Sequence, residues 1–176
     1  MDEKILVAYA SSYGSTQEIA VVVAEELQAQ TLPVELLPIK EVRSLAGFSA
    51  VVLGAPLYMF HWHKDALRFL SRFQRELEGM PAAVFAGGPF AAADGKEPDE
   101  KTWQEVQSEL EKELAKYPWF KPVSIQFVGG RFDPAKLRFP YSLIPALKQL
   151  PATDFRDWQA IREWANSLVL KFAQPA

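Results

Sequence analysis

The sequence predicts an open α/β sandwich, with a five-stranded parallel sheet in the order 2-1-3-4-5 and helices on both faces. Three observations predict it. Continuous apolar runs recur along the chain, as in strands buried on both faces. Segments with helical apolar spacing alternate with those runs. The second run lies between two prolines, which cannot donate to a ladder and so place that strand at an edge.

The first strand is Ile5-Leu6-Val7-Ala8-Tyr9-Ala10, and the second is Val34-Glu35-Leu36-Leu37, between Pro33 and Pro38. Ala50-Val51-Val52-Leu53-Gly54-Ala55 and Ala82-Ala83-Val84-Phe85-Ala86 read as the third and fourth. Val123-Ser124-Ile125-Gln126-Phe127-Val128 alternates more, which suits a place nearer an edge. Between them, Ile19, Val22, Val23 and Leu27 form one helical stripe, and Ala66, Leu70, Phe73 and Leu77 a second. Trp103, Val106, Leu110 and Leu114 form a third, between Pro98 and Pro118. The last helix carries Trp158, Ile161, Ala165, Leu168 and Phe172, with Thr153 or Asp154 expected as its N-cap. A short helical turn is expected around 41–45.

Composition bounds the function. At 176 residues, with 49% apolar and 23% charged residues, the chain suits one domain over 1–176, with an insertion at about 129–152. The absence of cysteine excludes a disulfide scaffold, a thiolate nucleophile and an iron–sulfur cluster. A net charge of −3 gives no footprint for nucleic acid. No run approaches the roughly 18 apolar residues of a membrane span. Met1-Asp2-Glu3-Lys4 lacks the basic start of a signal peptide, so a cytoplasmic location is expected.

In open α/β sheets, ligands bind beyond the carboxyl ends of the strands at the switch point of strand order. The loop there reads Ser11-Ser12-Tyr13-Gly14-Ser15-Thr16 and opens a helix. Hydroxyls and first-turn amides can wrap a phosphate. Positions 10–17 hold no Lys, Arg, Asp or Glu, and neither a P-loop nor a G-x-G-x-x-G pattern is present. The loop therefore suits a phosphate that does not react. Taken alone it equally suits a serine-rich turn that caps the helix.

After the third strand comes Pro56-Leu57-Tyr58-Met59-Phe60-His61-Trp62-His63, an apolar loop that either needs a partner, such as a stacked planar ring, or folds Phe60 and Trp62 back onto the core. His61-x-His63-x-Asp65 invites a metal reading, but Asp65 is expected to start a helix and no further ligand is evident, so no metal is assigned. Gly87-Gly88-Pro89-Phe90 ends the fourth strand, where glycines allow close approach of backbone to a ligand. Glu97, Asp99 and Glu100 read as helix-start acids rather than catalytic ones. No catalytic side chain is assigned.

The segment from Gly129-Gly130 to Asp154 is long for a connection. It carries Arg131, Lys136, Arg138 and Lys148 against Asp133, together with Phe132, Phe139, Tyr141, Leu143 and Ile144.

These features resemble the flavodoxin superfamily. The first loop is similar to its FMN-phosphate loop, [ST]-x-[ST]-G-x-[ST], with Ser11, Gly14, Ser15 and Thr16 in register and Tyr13 replacing a small hydroxyl residue. More narrowly, the chain resembles the menaquinone-dependent protoporphyrinogen oxidase (protoporphyrinogen IX dehydrogenase) family. The stretch Gly54–His63 with its paired histidines, Met80-Pro81, the insertion at 129–149 and Thr153-Asp154-Phe155-Arg156-Asp157-Trp158 carry that likeness.

The resemblance implies a flavodoxin-like three-layer sandwich and FMN as cofactor. It implies a phosphate at Ser11, Ser12, Tyr13, Gly14, Ser15 and Thr16. The ring would lie between Pro56, Leu57, Tyr58 and Met59 on one side and Gly87, Gly88, Pro89 and Phe90 on the other. The function implied is an FMN-dependent oxidoreductase that oxidises a porphyrinogen or related apolar substrate with a quinone as acceptor, a step of heme biosynthesis. Peripheral contact with the inner membrane face through 131–149 follows as an expectation, and self-association stays open. Two alternatives stand beside this reading: a one-electron carrier of the flavodoxin type, and a flavin-free interaction domain on the same fold. The mild net charge speaks against the first, because a docking field needs strong charge. The intact first loop speaks against the second.

Overall fold

A computed structural model describes residues 4–30, 32–58, 61–88 and 96–174. In chain order the main elements begin with β1 (Lys4–Tyr9), α1 (Ser15–Ala29), β2 (Val34–Pro38), β3 (Phe48–Tyr58), β4 (His61–Trp62), α2 (Lys64–Arg72) and α3 (Gln74–Leu77). They continue with β5 (Ala82–Gly87), α4 (Glu100–Ala115), β6 (Ser124–Val128), β7 (Arg131–Phe132), α5 (Pro145–Lys148), β8 (Thr153–Asp154) and α6 (Trp158–Phe172).

Five parallel strands lie in the order β2-β1-β3-β5-β6, which is the predicted topology. Both expected edge strands are at edges. The apolar runs are buried on both faces because helices cover both. Leu6, Ala8, Val51, Leu53, Val84 and Ala86 point to the side of α2, α3 and α4. Ile5, Val7, Ala50, Val52, Ala83 and Phe85 point to α1 and α6. Each fully buried aliphatic side chain contributes about 1.5–3 kcal/mol relative to exposure, so these two layers dominate stability.

One pair fixes the centre of the sheet. Gly54 on β3 stands beside Phe85 on β5. A Cβ on Gly54 would fall 1.9 Å from the Phe85 ring. The bare strand makes room for that ring, which meets Trp164 of α6 edge-on, with centroids 6.1 Å apart.

Four local expectations need correction. The third strand does not stop at Ala55. It runs to Tyr58, and His61–Trp62 folds back as β4, pairing Leu57 with Trp62 and Tyr58 with His61. The apolar loop is thus largely a hairpin, whose Trp62 is 1% exposed in the core. The second helix is interrupted at Phe73, giving α2 and α3. The short turn near 41–45 forms earlier, as a 3₁₀ turn over Ile39–Glu41. The last helix is capped by Asp157, whose carboxylate accepts from the Ala160 N–H at 2.9 Å, because Thr153 and Asp154 are engaged in β8.

The long segment before α6 has structure of its own. It leaves through β7, passes 3₁₀ turns at Pro134–Lys136 and Tyr141–Leu143 and the short α5, and returns through β8, which pairs antiparallel with β7.

Candidate functional site

The site lies where β1, β3 and β5 end. The chain leaves β1 with Ala10 N–H donating to Gly54 O at 2.9 Å, then turns at Gly14. Gly14 has φ 89° and ψ −15°, a left-handed conformation that costs a side-chain-bearing residue about 1–2 kcal/mol. It is the N-cap of α1, with no side-chain cap bond. Ser11 Oγ instead accepts from Gly14 N–H at 2.9 Å and so stiffens the turn. The loop hydroxyls therefore do not serve as the helix cap. The amides of Ser15, Thr16 and Gln17 have no acceptor within their helix, and the positive end of the helix dipole adds to them.

A small concavity sits directly against this helix start, lined by Ser11, Tyr13, Ser15, Thr16, Pro56, Tyr58, Gly87, Gly130 and Arg131. Thr16 is 4% exposed, and its Oγ1 would lie 3.8 Å from a Cβ at Gly87. Three of the predicted stretches thus meet at one place: 11–16, 56–58 and 87. Gly88 donates its N–H to Val128 O at 3.0 Å. Leu57 departs from expectation. Its side chain is buried in the core under β4, because Pro56, Leu57 and Tyr58 continue a strand whose faces alternate. Met59, Pro89 and Phe90 lie outside the described residues.

A larger cavity of about 860 Å³ opens beside the first. One wall is Ser12, Tyr13, Ser15 and Tyr58, a second is His61 to Lys64, and the roof is Arg131, Phe132, Asp133, Lys136, Leu137, Tyr141, Ile144 and Leu147. The inserted segment therefore covers the site rather than trailing from the sheet edge. The Tyr58 hydroxyl bonds Ser12, and burial raises its pKa above the ordinary phenol value.

His63 shows how the hairpin is set. Its N–H donates to Pro56 O at 3.1 Å, and its Nδ1 accepts from Asp65 N–H at 3.2 Å, capping α2. The ring is thus neutral with its proton on Nε2, and burial lowers its pKa below 6.5, although Asp65 pulls the other way. His61 goes elsewhere, with its Nδ1 3.1 Å from Glu113 Oε1 on α4. Burial alone would raise the Glu113 carboxyl, but hydrogen bonds from His61 and Lys116 outweigh it and hold the group below the usual range. Asp65 sits 3.6 Å from Lys40 Nζ. Among the described residues no cluster of three or more His, Asp or Glu side chains could hold a metal ion.

The sequence reading missed a charged network behind the loop. Arg156 is 9% exposed. Its Nε and Nη2 bond both oxygens of Asp154 at 2.8 and 2.6 Å, and its Nη1 bonds Glu18 Oε2 at 2.5 Å. Arg131 Nη1 reaches the other Glu18 oxygen at 3.2 Å. The Arg156 hydrogen bonds hold Asp154 below the usual carboxylate range. The signal was present as Asp154-Phe155-Arg156, but its partner Glu18 lies 138 residues away.

Comparison with known proteins agrees with the fold. A family model described as "Flavodoxin domain" matches residues 6–142. Protoporphyrinogen IX dehydrogenase [quinone] of Escherichia coli K12 is 22% identical, with 94% of each chain covered. A flavodoxin from the domain Archaea superposes with a TM-score of 0.60 at 13% identity, covering 97% of this chain and 99% of its own. Flavodoxin 1 from Bacillus cereus gives 0.56 at 19% identity, with 96% of each chain covered. These two likenesses speak to the fold.

Proposed function

The chain belongs to the flavodoxin domain family, which implies a flavin cofactor, and from that premise we propose an FMN-dependent oxidoreductase. In this reading it takes electrons from an apolar, carboxylate-bearing ring system of the porphyrinogen type and passes them to a quinone. One observation carries the reading: a helix start left uncapped by side chains stands beside a cavity walled by aromatic and aliphatic groups.

The residues fit FMN at both ends. The loop supplies amides and hydroxyls for a phosphate, and the single carboxylate in the first turn of α1, Glu18, is neutralised by Arg131 and Arg156. A volume of about 860 Å³ lies within the range of about 300–1,000 Å³ typical of small-molecule sites. When bound, the flavin supplies the redox chemistry. The chain's part is to hold and shield it. Ser11, Ser15 and Thr16 would hold the phosphate. Tyr58 presents a ring fixed by its bond to Ser12, and His63 presents a neutral imidazole from the adjoining wall. The roof excludes water with Phe132, Leu137 and Ile144.

The substrate class draws on two supports. The Escherichia coli relative is named for protoporphyrinogen IX and a quinone. The larger cavity combines apolar walls with Lys64, Arg131 and Lys136 against one acid, Asp133, and this cationic excess suits a ligand that is both apolar and anionic. On the outside, the inserted segment exposes Phe139 (79%) and Leu143 (68%) among Lys136, Arg138 and Lys148, and positions 134–153 hold no acid. Such a surface suits anionic lipid headgroups, next to the bilayer in which an apolar quinone dissolves. Among the described residues, no helix is long and apolar enough to cross a membrane. The reading therefore has the protein in the cytoplasm, peripheral to the inner membrane face.

The test begins with the absorption spectrum of the purified protein and chromatography of the released chromophore. FMN near one per chain, followed by anaerobic transfer from protoporphyrinogen to a soluble quinone, is the expected result. No flavin, and none taken up on addition of FMN, overturns the cofactor. Bound FMN without porphyrinogen turnover overturns the substrate class.

A further inference from the structure

We propose that Arg131, supplied by the inserted segment, is the charge that selects a phosphorylated ligand at the α1 loop. The proposal rests on the FMN reading and adds a residue to it. The loop itself has no cation between positions 10 and 17, so a dianionic phosphate there would meet only dipoles and hydroxyls. Arg131 is the one charged side chain lining the concavity that Ser11, Ser15 and Thr16 also line, among the described residues. Its guanidinium is one-third exposed, so it is placed to meet a ligand rather than locked in the core.

The pairing around it makes a transfer feasible. Arg131 holds Glu18 Oε1 at 3.2 Å, while Arg156 holds Oε2 of the same carboxylate at 2.5 Å. When Arg131 swings to an incoming phosphate, Glu18 keeps its second arginine and is not left unpaired. Arg156 cannot make the same move, because its side chain is 3% exposed and committed to Asp154 by two bonds. The exchange trades a shared carboxylate for a group of higher charge, and charge-assisted bonds to phosphate are among the stronger polar contacts. Arg131 is also the first residue of β7, and Phe132 beside it lines the larger cavity. Phosphate recognition is thereby coupled to the roof over the ring.

The test is a flavin-fluorescence titration of the apoprotein with FMN and with riboflavin, which share the ring and differ in the phosphate. Wild type should prefer FMN. Arg131→Gln should lower FMN affinity about 10-fold or more and leave riboflavin affinity unchanged. Glu18→Gln should hold or raise FMN affinity, because it frees Arg131, and this variant reads the same coupling without touching the arginine. Unchanged FMN affinity in Arg131→Gln, equal losses for both ligands, or a loss of FMN affinity in Glu18→Gln would each overturn the proposal. A wild type that binds neither flavin overturns the cofactor reading instead.

Discussion

The Arg156 guanidinium lies 4.6 Å above the Trp158 ring while its Nη1 bonds Glu18, a carboxylate 138 residues earlier in the chain. The contact ties the approach to the last helix to the first turn of α1. It fixes the helix whose amides face the proposed phosphate.

Replacing Arg156 with Met should therefore destabilise the fold. Glu18 and Asp154 are each more than two-fifths exposed, so water can take over part of their pairing. The loss should be about 1–3 kcal/mol rather than the full cost of an orphaned buried charge. Arg156→Lys should recover little of it, because an ammonium cannot bond both Asp154 oxygens and Glu18 in one plane. Urea denaturation of the three proteins measures this, and a Lys variant equal to wild type would show that charge alone matters.

Gly54→Ala should be among the most damaging single changes. The added methyl would need space now filled by the Phe85 ring, so strand and ring must move apart at a cost of about 3 kcal/mol or more. Gly79→Ala is the control, since a Cβ there meets nothing within 4 Å. Thermal unfolding should separate the two clearly.

Gly14 tests the loop by a different route. A Cβ there has open space, so the strain of a substitution is backbone strain alone. Gly14→Val should cost about 1–2 kcal/mol and weaken FMN binding by reshaping the turn. Retained FMN affinity would count against the loop as the phosphate site.

Stability should carry an acid-side component from His63. Burial sets its folded pKa below the 6.5 of an exposed imidazole. The unfolded chain therefore binds more protons between the two values. The neutral ring's contribution is complete above about pH 6.5 and fades as pH falls through the folded value. His63→Asn keeps a good N-cap and should flatten that slope. Unfolding free energies measured from pH 7.5 to 5 would show an unchanged slope if His63 plays no part.

The membrane reading predicts that Phe139→Asp with Leu143→Asp abolishes co-sedimentation with phosphatidylglycerol vesicles and spares flavin binding. Wild-type protein that stays in the supernatant at low salt would overturn it.

The sheet was legible because strands covered on both faces must be apolar throughout, and Leu6 to Ala8 or Val51 to Leu53 can be little else. Helix stripes were legible for the same reason of period. The pairing of Tyr58 with His61 was not, since Pro56 to His63 reads as a loop, and a Trp62 folded onto the core, though one of its two readings, does not by itself imply strand pairing. Of the Arg131–Glu18–Arg156–Asp154 cluster only the Asp154–Arg156 pair left a local trace, because the bonds of both arginines to Glu18 span more than a hundred residues and follow from topology. The helix cap was off by three residues, as Asp154 and Asp157 are both good caps and only the β7–β8 pairing decides between them.

That short pairing makes the roof modular. Phe132 and Thr153 are partners across β7 and β8, so everything between them hangs from two adjacent points of the scaffold. A tight turn could join those points directly, and a much longer excursion would add little closure entropy, since that cost grows only with the logarithm of length. The roof is thus an exchangeable cassette: a graft between Phe132 and Thr153 would change what enters the cavity while leaving the sheet beneath intact.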